Sequence, residues 1–242
     1  MQLKIFKDYA ELSRETANEM AALLKRKPAA LICLASGDSP RLTCQLFVDI
    51  VKSQGIDTSA FSFIGLDEWV GVPPDNEGSC RYFFESLLIR PLQLSPGQVY
   101  LFDVLAENLP EECRKMDRLI EEKGGIDLVI VGIGMNGHIG FNEPGVSFDK
   151  LAHVIDLDET TITVGQKYFN RDTPLKQGIT LGLKHLMNSE KAILIANGLK
   201  KAPVIKQALE SRVSNIFPAT IMQQHPNGLV IIDEEAASQL SK

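Results

Sequence analysis

Features that would mark a secreted, membrane-bound or metal-dependent protein are absent from this sequence. No window approaches the roughly 20 consecutive apolar residues that a membrane span needs, and no apolar core followed by a cleavage site opens the chain. The four cysteines and four histidines are scattered without a CxxC pair, so their spacing predicts neither a zinc site nor a disulfide framework. We therefore expect a cytoplasmic protein that needs no metal and no cofactor.

The chain also lacks an excess of positive charge. Its 25 Lys and Arg residues against 31 Asp and Glu residues give a net charge of −6, which argues against broad nucleic-acid binding. An anionic substrate would then need a local positive patch. With 242 residues and 44% hydrophobic content, the chain is long enough for one large core, and we expect a single domain covering residues 1–242.

The stretch 126–146 begins as an apolar strand and ends as a glycine-rich loop. Residues 126–133 form a nearly continuous apolar run, which is typical of a strand covered on both faces and predicts a parallel sheet in an α/β fold. Ligands of such sheets bind outside the carboxyl ends of the strands. The polar side chains that follow the strand are therefore candidate site residues: Asn136, His138, Asn142 and Glu143.

His138 and Glu143 share one short loop, and a carboxylate that orients an imidazole suits acid–base chemistry near neutral pH. Simpler interpretations stay open, with His138 as a hydrogen-bonded structural histidine and Glu143 as a turn residue. The letters GIGMNG fit a loose dinucleotide fingerprint, but the following HIGFNEP contains Pro144 and does not predict the helix that should receive a pyrophosphate.

A second candidate site is the sequence SGDSP at 36–40. It joins an apolar strand at 29–35 to a helix predicted at 40–54, and the free N–H groups of a helix start can bind a phosphate together with the hydroxyls of Ser36 and Ser39. The alternative is that SGDSP is only a helix cap. Asp38 counts against a phosphate site unless its carboxylate turns away to the helix cap or to solvent.

A third candidate site follows the apolar strand at 61–66, where Asp67 and Glu68 come next. These carboxylates could be solvated loop residues, but two strands that end in acid-bearing loops favour a shared crevice.

The segment 151–177, with Lys167 and Arg171, has no clear period and is predicted to contain a mobile cover. Lys200 and Lys201 start a predicted helix at 199–211, where lysines oppose the helix dipole unless an anion is bound. The remaining predicted elements are helices at 9–26, 79–89 and 107–123, strands at 192–196 and 229–232, a short strand within 92–102, and an acidic tail at 233–242.

The motifs GIGMNGHIGFNEPG, LDEW and SGDSP together resemble the glucosamine-6-phosphate deaminase (isomerase) family over nearly the whole chain. The resemblance, to a short non-allosteric bacterial-type member, implies a single α/β domain with an open, mostly parallel, Rossmann-like sheet and helices on both faces. It also implies a hydrolase of amino-sugar catabolism that converts glucosamine 6-phosphate and water to fructose 6-phosphate and ammonia.

The resemblance further implies a role for each matching residue. Asp67 is the base that moves a proton between C2 and C1, His138 opens the pyranose ring, and Glu143 is the carboxylate partner of His138. The phosphate cradle is formed by Ser36, Gly37, Ser39 and Lys201.

Two residues depart from the family pattern. Asn136 stands where many members carry an aspartate that relays to the histidine, so either Glu143 alone tunes His138 or the amide orients it. Lys167 stands where an arginine commonly reaches the phosphate from a mobile lid, which keeps the charge but loses the bidentate fork.

Two other functions remain alternatives: a 6-phosphogluconolactonase, which binds a sugar phosphate on a related fold, and a sugar-phosphate sensor. Against a sensor, the sequence has no helix-turn-helix and no basic extension. Larger family members are hexamers activated by N-acetylglucosamine 6-phosphate. Here Val146, His153 and Ile155 replace a serine and two basic residues of that effector site, so we expect a monomer that lacks the effector site. We expect its only partner to be the substrate, glucosamine 6-phosphate, and we expect no binding to nucleic acid or membrane.

Overall fold

The computed structural model describes residues 1–241. Its strands are β1 (Gln2–Phe6), β2 (Leu31–Leu34), β3 (Ser62–Gly65), β4 (Asp67–Trp69), β5 (Val99–Tyr100), β6 (Leu128–Val131), β7 (His153–Asp156), β8 (Gln177–Thr180), β9 (Lys191–Ala196) and β10 (Gly228–Asp233). Its α-helices are α1 (Tyr9–Arg26), α2 (Asp38–Gln54), α3 (Cys80–Phe84), α4 (Arg90–Leu92), α5 (Leu109–Glu122), α6 (Glu159–Gly165), α7 (Leu183–Met187), α8 (Ala202–Glu210) and α9 (Glu234–Ala237).

A seven-stranded sheet in the order β1-β10-β9-β6-β2-β3-β5 forms the centre of the molecule. Every neighbouring pair in it is parallel. Parallel neighbours require crossover connections, which the helices provide on both faces. The predicted α/β fold is therefore confirmed. Because β6, β2 and β3 are parallel neighbours, their carboxyl ends lie side by side on the same side of the molecule.

Both faces of the central sheet are buried, which explains why its strands have apolar sequences without alternation. In β2, Ile32 and Leu34 belong to one core and Leu31 and Cys33 to the other. Helices α1 and α2 pack in the first core, and α5 and α8 pack in the second. Helix α1 has the predicted bounds and is capped by the Asp8 side chain, which accepts from the N–H of Glu11.

Three elements differ from the sequence-based expectation. Strand β1 was not expected, because as an edge strand it has no buried apolar run and its Leu3 and Ile5 stay exposed. The helix predicted at 199–211 begins with a 3₁₀ turn, Leu199–Lys201, before α8. The prediction of an acidic tail at 233–242 is wrong from its first residue, because Asp233 ends β10 and its side chain caps α9 by accepting the N–H of Ala236. Lys242 lies outside the described residues.

A second, three-stranded sheet in the order β4-β8-β7 sits beside the main one and is antiparallel. It takes Asp67 and Glu68 out of the loop expected after β3 and places them in β4, paired with Thr180 and Ile179 of β8. The sequence gives no sign of this pairing, since its strands are short and more than a hundred residues apart. Among residues 1–241, no helix is long and apolar enough to cross a membrane.

Candidate active site

A cavity of about 420 Å³ opens at the carboxyl ends of β2, β3 and β6. Its floor is formed by the loops that follow these strands, and one wall by α6 and the 3₁₀ turn Gln166–Tyr168. Asn142, a candidate from the loop after β6, is buried outside the cavity and donates to the carbonyls of Ile139 and Leu181. Of the nine residues that the family resemblance places in the site, the structure brings eight to the cavity wall: Ser36, Gly37, Ser39, Asp67, Asn136, His138, Lys167 and Lys201. The ninth, Glu143, is buried behind His138. The shared crevice predicted from the sequence is confirmed.

Asp67 is the first residue of β4 and lies partly open to the cavity. Burial, and then the charge of the neighbouring Glu68, raises the pKa of Asp67 to about 7. The thiol of Cys80 donates to Asp67 Oδ1 across 3.7 Å and opposes that rise. Burial, followed by the two carboxylates, also raises the pKa of the Cys80 thiol well above its usual range, so it remains a donor at neutral pH. A carboxylate with a pKa near 7 is suited to accept a proton.

Glu68 has a different role from Asp67 although the two are adjacent. It is buried, and its carboxylate accepts the backbone N–H groups of Trp69 (3.0 Å), Cys80 (2.9 Å) and Arg81 (2.7 Å). These bonds fix the start of α3 against β4, because they satisfy N–H groups that a helix start leaves unpaired. Glu68 therefore holds Cys80 beside Asp67 and does not face the cavity.

The His138 ring and the Glu143 carboxylate form a pair, with His138 Nδ1 3.2 Å from Glu143 Oε2. Asn136 donates from Nδ2 to the same Oε2 over 2.8 Å, and its Oδ1 accepts the backbone N–H of His138 over 3.2 Å. The open question about Asn136 is thus answered in part, because its amide contacts the carboxylate and the backbone of the loop rather than the imidazole ring.

Burial acts to raise the pKa of Glu143, but hydrogen bonds from His138, Thr161 and Asn136 outweigh it and leave the pKa below its ordinary value. Glu143 is therefore ionised at neutral pH. Thr161, which lies on α6 with Oγ1 3.0 Å from His138 Nδ1, is a member of this cluster that the sequence did not reveal. The only local signal was Asp158, whose side chain caps α6 and so places Thr161 in its first turn.

Gly134 provides the space for the His138 ring. A Cβ at position 134 would come within 2.2 Å of His138 Cδ2 and 2.3 Å of Nε2, so any side chain there would displace the ring. Gly137 has a φ of 82°, in the left-handed region that favours glycine, and a Cβ there would strike Phe217. Part of the glycine content of this loop thus makes room for the His138 ring and does not only allow the approach of a ligand.

The SGDSP sequence does not act as a side-chain helix cap. The cap residue of α2 is Gly37, with a φ of 114°, and no side chain accepts a hydrogen bond at this position. Ser36 donates to Cys80 Sγ over 3.0 Å and Ser39 donates to Asn197 Oδ1 over 3.1 Å. The capping interpretation is therefore wrong: no side chain caps the start of α2, and the first residues of this helix, 38–41, line the cavity.

The two predicted phosphate lysines reach this helix start from different elements. Lys201 closes the 3₁₀ turn before α8 and donates to the carbonyl of Ile133. Burial, and then the positive charge of Lys167, lowers the pKa of Lys201 to about 8. Lys167 comes from the cover and donates to Asp38 Oδ2 over 2.6 Å. Asp38 therefore does not cap the helix; its side chain is exposed to solvent and pairs with Lys167, so one of the two outcomes that a phosphate site required is met.

The predicted cover is a folded segment. Phe169 packs edge-on against Trp69, with ring centroids 6.0 Å apart, and fills the space over Gly78, where a Cβ would come within 2.4 Å of its ring. Asn170 donates to Glu77 over 2.6 Å. Arg171, which lay in the same predicted cover, does not line the cavity. The mobility of this segment stays a prediction.

The family model for glucosamine-6-phosphate isomerases/6-phosphogluconolactonase matches residues 7–231. The chain belongs to this family. A curated glucosamine-6-phosphate deaminase of Clostridium perfringens (strain 13 / Type A) is 38% identical over 242 residues, covering 99% of this chain and 100% of the relative. One of Thermoanaerobacter pseudethanolicus is 38% identical over 240 residues, covering 98% and 94%.

Solved structures of the glucosamine-6-phosphate isomerase/6-phosphogluconolactonase family have the same architecture. A structure described as a monomeric glucosamine-6-phosphate deaminase superposes with a TM-score of 0.95 at 32% identity, covering 99% of this chain and all of that one. A 6-phosphogluconolactonase from Trypanosoma brucei superposes with a TM-score of 0.76 at 18% identity, covering 99% and 98%. The second likeness concerns the fold alone, so within the family the similarity in sequence is to the deaminases.

Proposed function

We propose that this protein is a glucosamine-6-phosphate deaminase that converts glucosamine 6-phosphate and water to fructose 6-phosphate and ammonia. The observation that carries the proposal is the placement of two kinds of acid–base group in one cavity. Asp67, with a pKa of about 7, and the His138–Glu143 pair both face a space that ends at the start of α2. The identity to curated deaminases over the whole chain supports the same reaction.

The phosphate of the substrate is proposed to bind at the start of α2. There the backbone N–H groups after Gly37, the hydroxyls of Ser36 and Ser39, and the ammonium groups of Lys167 and Lys201 converge. A dianion on a helix start gains from both the free donors and the helix dipole. Ser36 and Ser39 would have to turn from their present acceptors, Cys80 and Asn197, to donate to a phosphate oxygen.

Ring opening is assigned to His138. Opening a hemiacetal removes the proton of the C1 hydroxyl and adds a proton to the ring oxygen, and a histidine can perform both transfers near neutral pH. Its Nδ1 is engaged by Glu143, which leaves Nε2 for the sugar. Glu143 remains ionised and compensates the positive charge that His138 acquires in this step. Asn136 is proposed to orient Glu143 rather than to contact the sugar.

Isomerisation is assigned to Asp67. In the open chain the aldehyde at C1 acidifies the C2 proton, which Asp67 removes to give an enolamine and then returns to C1. The resulting C2 imine takes up water and expels ammonia, leaving the ketose. The electrons stay within the carbon skeleton, so the reaction needs no redox cofactor. Binding energy from the phosphate end serves to hold C2 against Asp67.

A 6-phosphogluconolactonase is the competing function, because the family description includes it and its structures share the fold. A lactonase needs one group that activates water at an ester carbonyl, whereas this cavity holds two separate acid–base groups, Asp67 and the His138–Glu143 pair, as ring opening followed by isomerisation requires. The long sequence matches are to deaminases. We therefore rank the lactonase second.

The protein is also proposed to be a cytoplasmic, single-domain monomer without a site for N-acetylglucosamine 6-phosphate. The structural relative with a TM-score of 0.95 is described as monomeric. Of the three residues that replace the effector site, Val146 and His153 are buried. Burial lowers the pKa of His153, so this residue is neutral at physiological pH and offers a second phosphate no charge.

The test is a coupled assay that measures ammonia release from glucosamine 6-phosphate, run beside an assay for acid release from 6-phosphogluconolactone. Ammonia formed with an equal amount of fructose 6-phosphate supports the proposal. Acid release without ammonia would assign the lactonase function. The 4-epimer of the substrate is a useful third arm, because faster turnover of that sugar would change the preferred substrate while leaving the chemistry intact.

A further inference from the structure

Thr161 reaches from the cover helix α6 into the His138–Glu143 pair. Its Oγ1 lies 3.0 Å from His138 Nδ1, and the residue is only 5% exposed. Asn136 Nδ2 also approaches the same hydroxyl, at 3.5 Å. A hydroxyl has one proton to donate, so its role as donor or acceptor toward each neighbour depends on where the other protons of the cluster lie.

The protons of this cluster can be assigned from the partners of His138 Nδ1. Glu143 Oε2, 3.2 Å away, belongs to an ionised carboxylate and can only accept. An unprotonated Nδ1 would direct its lone pair at that oxygen, so Nδ1 carries the proton. Thr161 Oγ1, 3.0 Å away, then accepts from Nδ1 as a second acceptor.

The opposite ring nitrogen has different surroundings. Within residues 1–241, His138 Nε2 has no hydrogen-bond partner, and the ring rests on Gly134 at the cavity wall. When Nδ1 carries the proton of the neutral ring, Nε2 presents its lone pair to the cavity. In the opposite tautomer, Nε2 would carry the proton, and the ring would present no base to the sugar hydroxyl.

We propose that Thr161 is a positioning residue that fixes His138 as its Nδ1–H tautomer, with Nε2 ready to accept the proton released in ring opening. The proposal rests on the proposed function in one respect, the role of His138 toward the sugar. The hydroxyl supplies a second acceptor for Nδ1–H. It therefore restricts the rotation of the ring and keeps Nδ1 directed at Glu143, the ionised carboxylate that requires the proton on that nitrogen.

The position of Thr161 links the two ends of the cavity. The same cover segment carries Lys167, six residues later, to Asp38 at the start of α2. When the segment packs over the cavity, it places a cation at the phosphate end and a hydroxyl at the histidine end. The residue that would bind the phosphate and the residue that orients His138 thus lie on one continuous segment, α6 and the 3₁₀ turn that follows it.

The first test reads the tautomer without using catalysis. Long-range ¹H–¹⁵N spectra of the imidazoles are recorded at about pH 8, where an ordinary imidazole is neutral, and the His138 signals are assigned from a His138→Asn variant. The wild-type protein should show the Nδ1–H pattern. Thr161→Val, which keeps the shape and removes the hydroxyl, should show a mixture of tautomers, because the ring can then rotate away from Glu143. An unchanged Nδ1–H pattern in Thr161→Val would overturn the proposal, even if the protein proves inactive as a deaminase.

The second test separates positioning from structural support. Thr161→Val should lower kcat by roughly 10-fold or more while KM stays within about twofold, since histidine acid–base catalysis contributes about 10²–10⁴-fold and substrate binding uses other groups. Thr161→Ser, which retains a hydroxyl, should recover most of that loss. Thr163→Val, at an exposed site on the same helix, should behave as wild type. If Thr161→Ser is as slow as Thr161→Val, or if Thr161→Val keeps wild-type kcat, the hydroxyl has no such role.

Discussion

Lys167 donates to Asp38 Oδ2 over 2.6 Å, so the cation proposed to bind the substrate phosphate is paired with a carboxylate of the SGDSP sequence. Burial acts to lower the pKa of Lys167, but the bond to Asp38 outweighs it and the pKa is raised. Asp38 thus keeps Lys167 charged and holds the cover against α2. It also places a negative charge beside the proposed binding site of the phosphate dianion, and these two effects oppose each other.

Asp38→Asn should lower KM for the phosphorylated substrate by roughly two- to fivefold at low salt, because it removes the repulsion and frees Lys167. The size follows from the pair's exposure, since exposed ion pairs contribute up to about 1 kcal/mol. Salt should reduce the difference. Asp49→Asn, an exposed site on the same helix, is the matched control. A higher KM in Asp38→Asn would mean that holding the cover matters more than the repulsion.

Lys201→Ala should raise KM by roughly 10- to 100-fold with a smaller effect on kcat, because a charge-assisted contact to phosphate is worth about 1.5–3 kcal/mol in ground and transition states alike. Lys167→Ala should act in the same direction, more weakly. The neighbouring Lys200 is exposed and does not line the cavity, so Lys200→Ala is the control. Unchanged KM in a folded Lys201→Ala protein, checked by circular dichroism, would move the phosphate site elsewhere.

The pH dependence of KM provides an independent measure of Lys201. Burial lowers the pKa of Lys201 to about 8, so the free enzyme loses this charge as the pH rises through that value. We expect the wild-type KM to increase above about pH 8 and the KM of Lys201→Ala to be nearly flat over the same range. Equal slopes for the two proteins would show that another group causes the rise.

Asp67→Asn should reduce kcat by roughly 10²–10⁴-fold or more, because the amide keeps the shape but cannot accept the C2 proton. Substrate binding, measured by calorimetry, should be close to that of wild type. Asp75→Asn, at an exposed site of the following loop, should have no effect. A near-normal kcat in Asp67→Asn would refute the assignment of the base.

The Cys80 thiol should set part of the acid limit of the enzyme. Asp67, with a pKa of about 7, must be ionised to act, so kcat/KM should fall as the pH drops through about 7. The thiol stabilises the ionised carboxylate, and Cys80→Ala should raise the pKa of Asp67 and move this limb to higher pH. The shift relative to wild type is the quantity to compare, since titration of the substrate phosphate is common to both. Cys113→Ala, at a buried cysteine outside the cavity, should leave the limb in place.

Much of the fold could be predicted from the sequence, because each central strand is buried on both faces and therefore has an apolar sequence. The cavity could be predicted for the same reason, since strands such as β3 and β6 end where polar residues begin. The edge strand β1 and the small antiparallel sheet could not. Their residues are exposed or few, and the pairing of Asp67 with Thr180 depends on contacts between distant parts of the chain.

The site shows the same division. Asp67, His138 and Glu143 follow apolar strands in local motifs, so the sequence was enough to single them out as candidates, and the structure places them at or directly behind the wall of one cavity. Thr161 and Cys80 were missed, because nothing in their local sequence reports that α6 and α3 carry them to those motifs. Asp38 was recognised as a difficulty, but its partner Lys167 lies 129 residues away, beyond the reach of any local pattern.

The most direct test of the account follows the C2 hydrogen. Glucosamine 6-phosphate carrying deuterium at C2 is converted by the wild-type enzyme, and the sugar product is analysed by mass spectrometry and NMR beside the ammonia. We predict one fructose 6-phosphate per ammonia, with deuterium absent from C2 and found at C1 or in the solvent, and no such conversion by Asp67→Asn. Ammonia released with an aldose 6-phosphate that keeps its C2 deuterium would contradict proton transfer by Asp67, and no ammonia at all would contradict the proposed function.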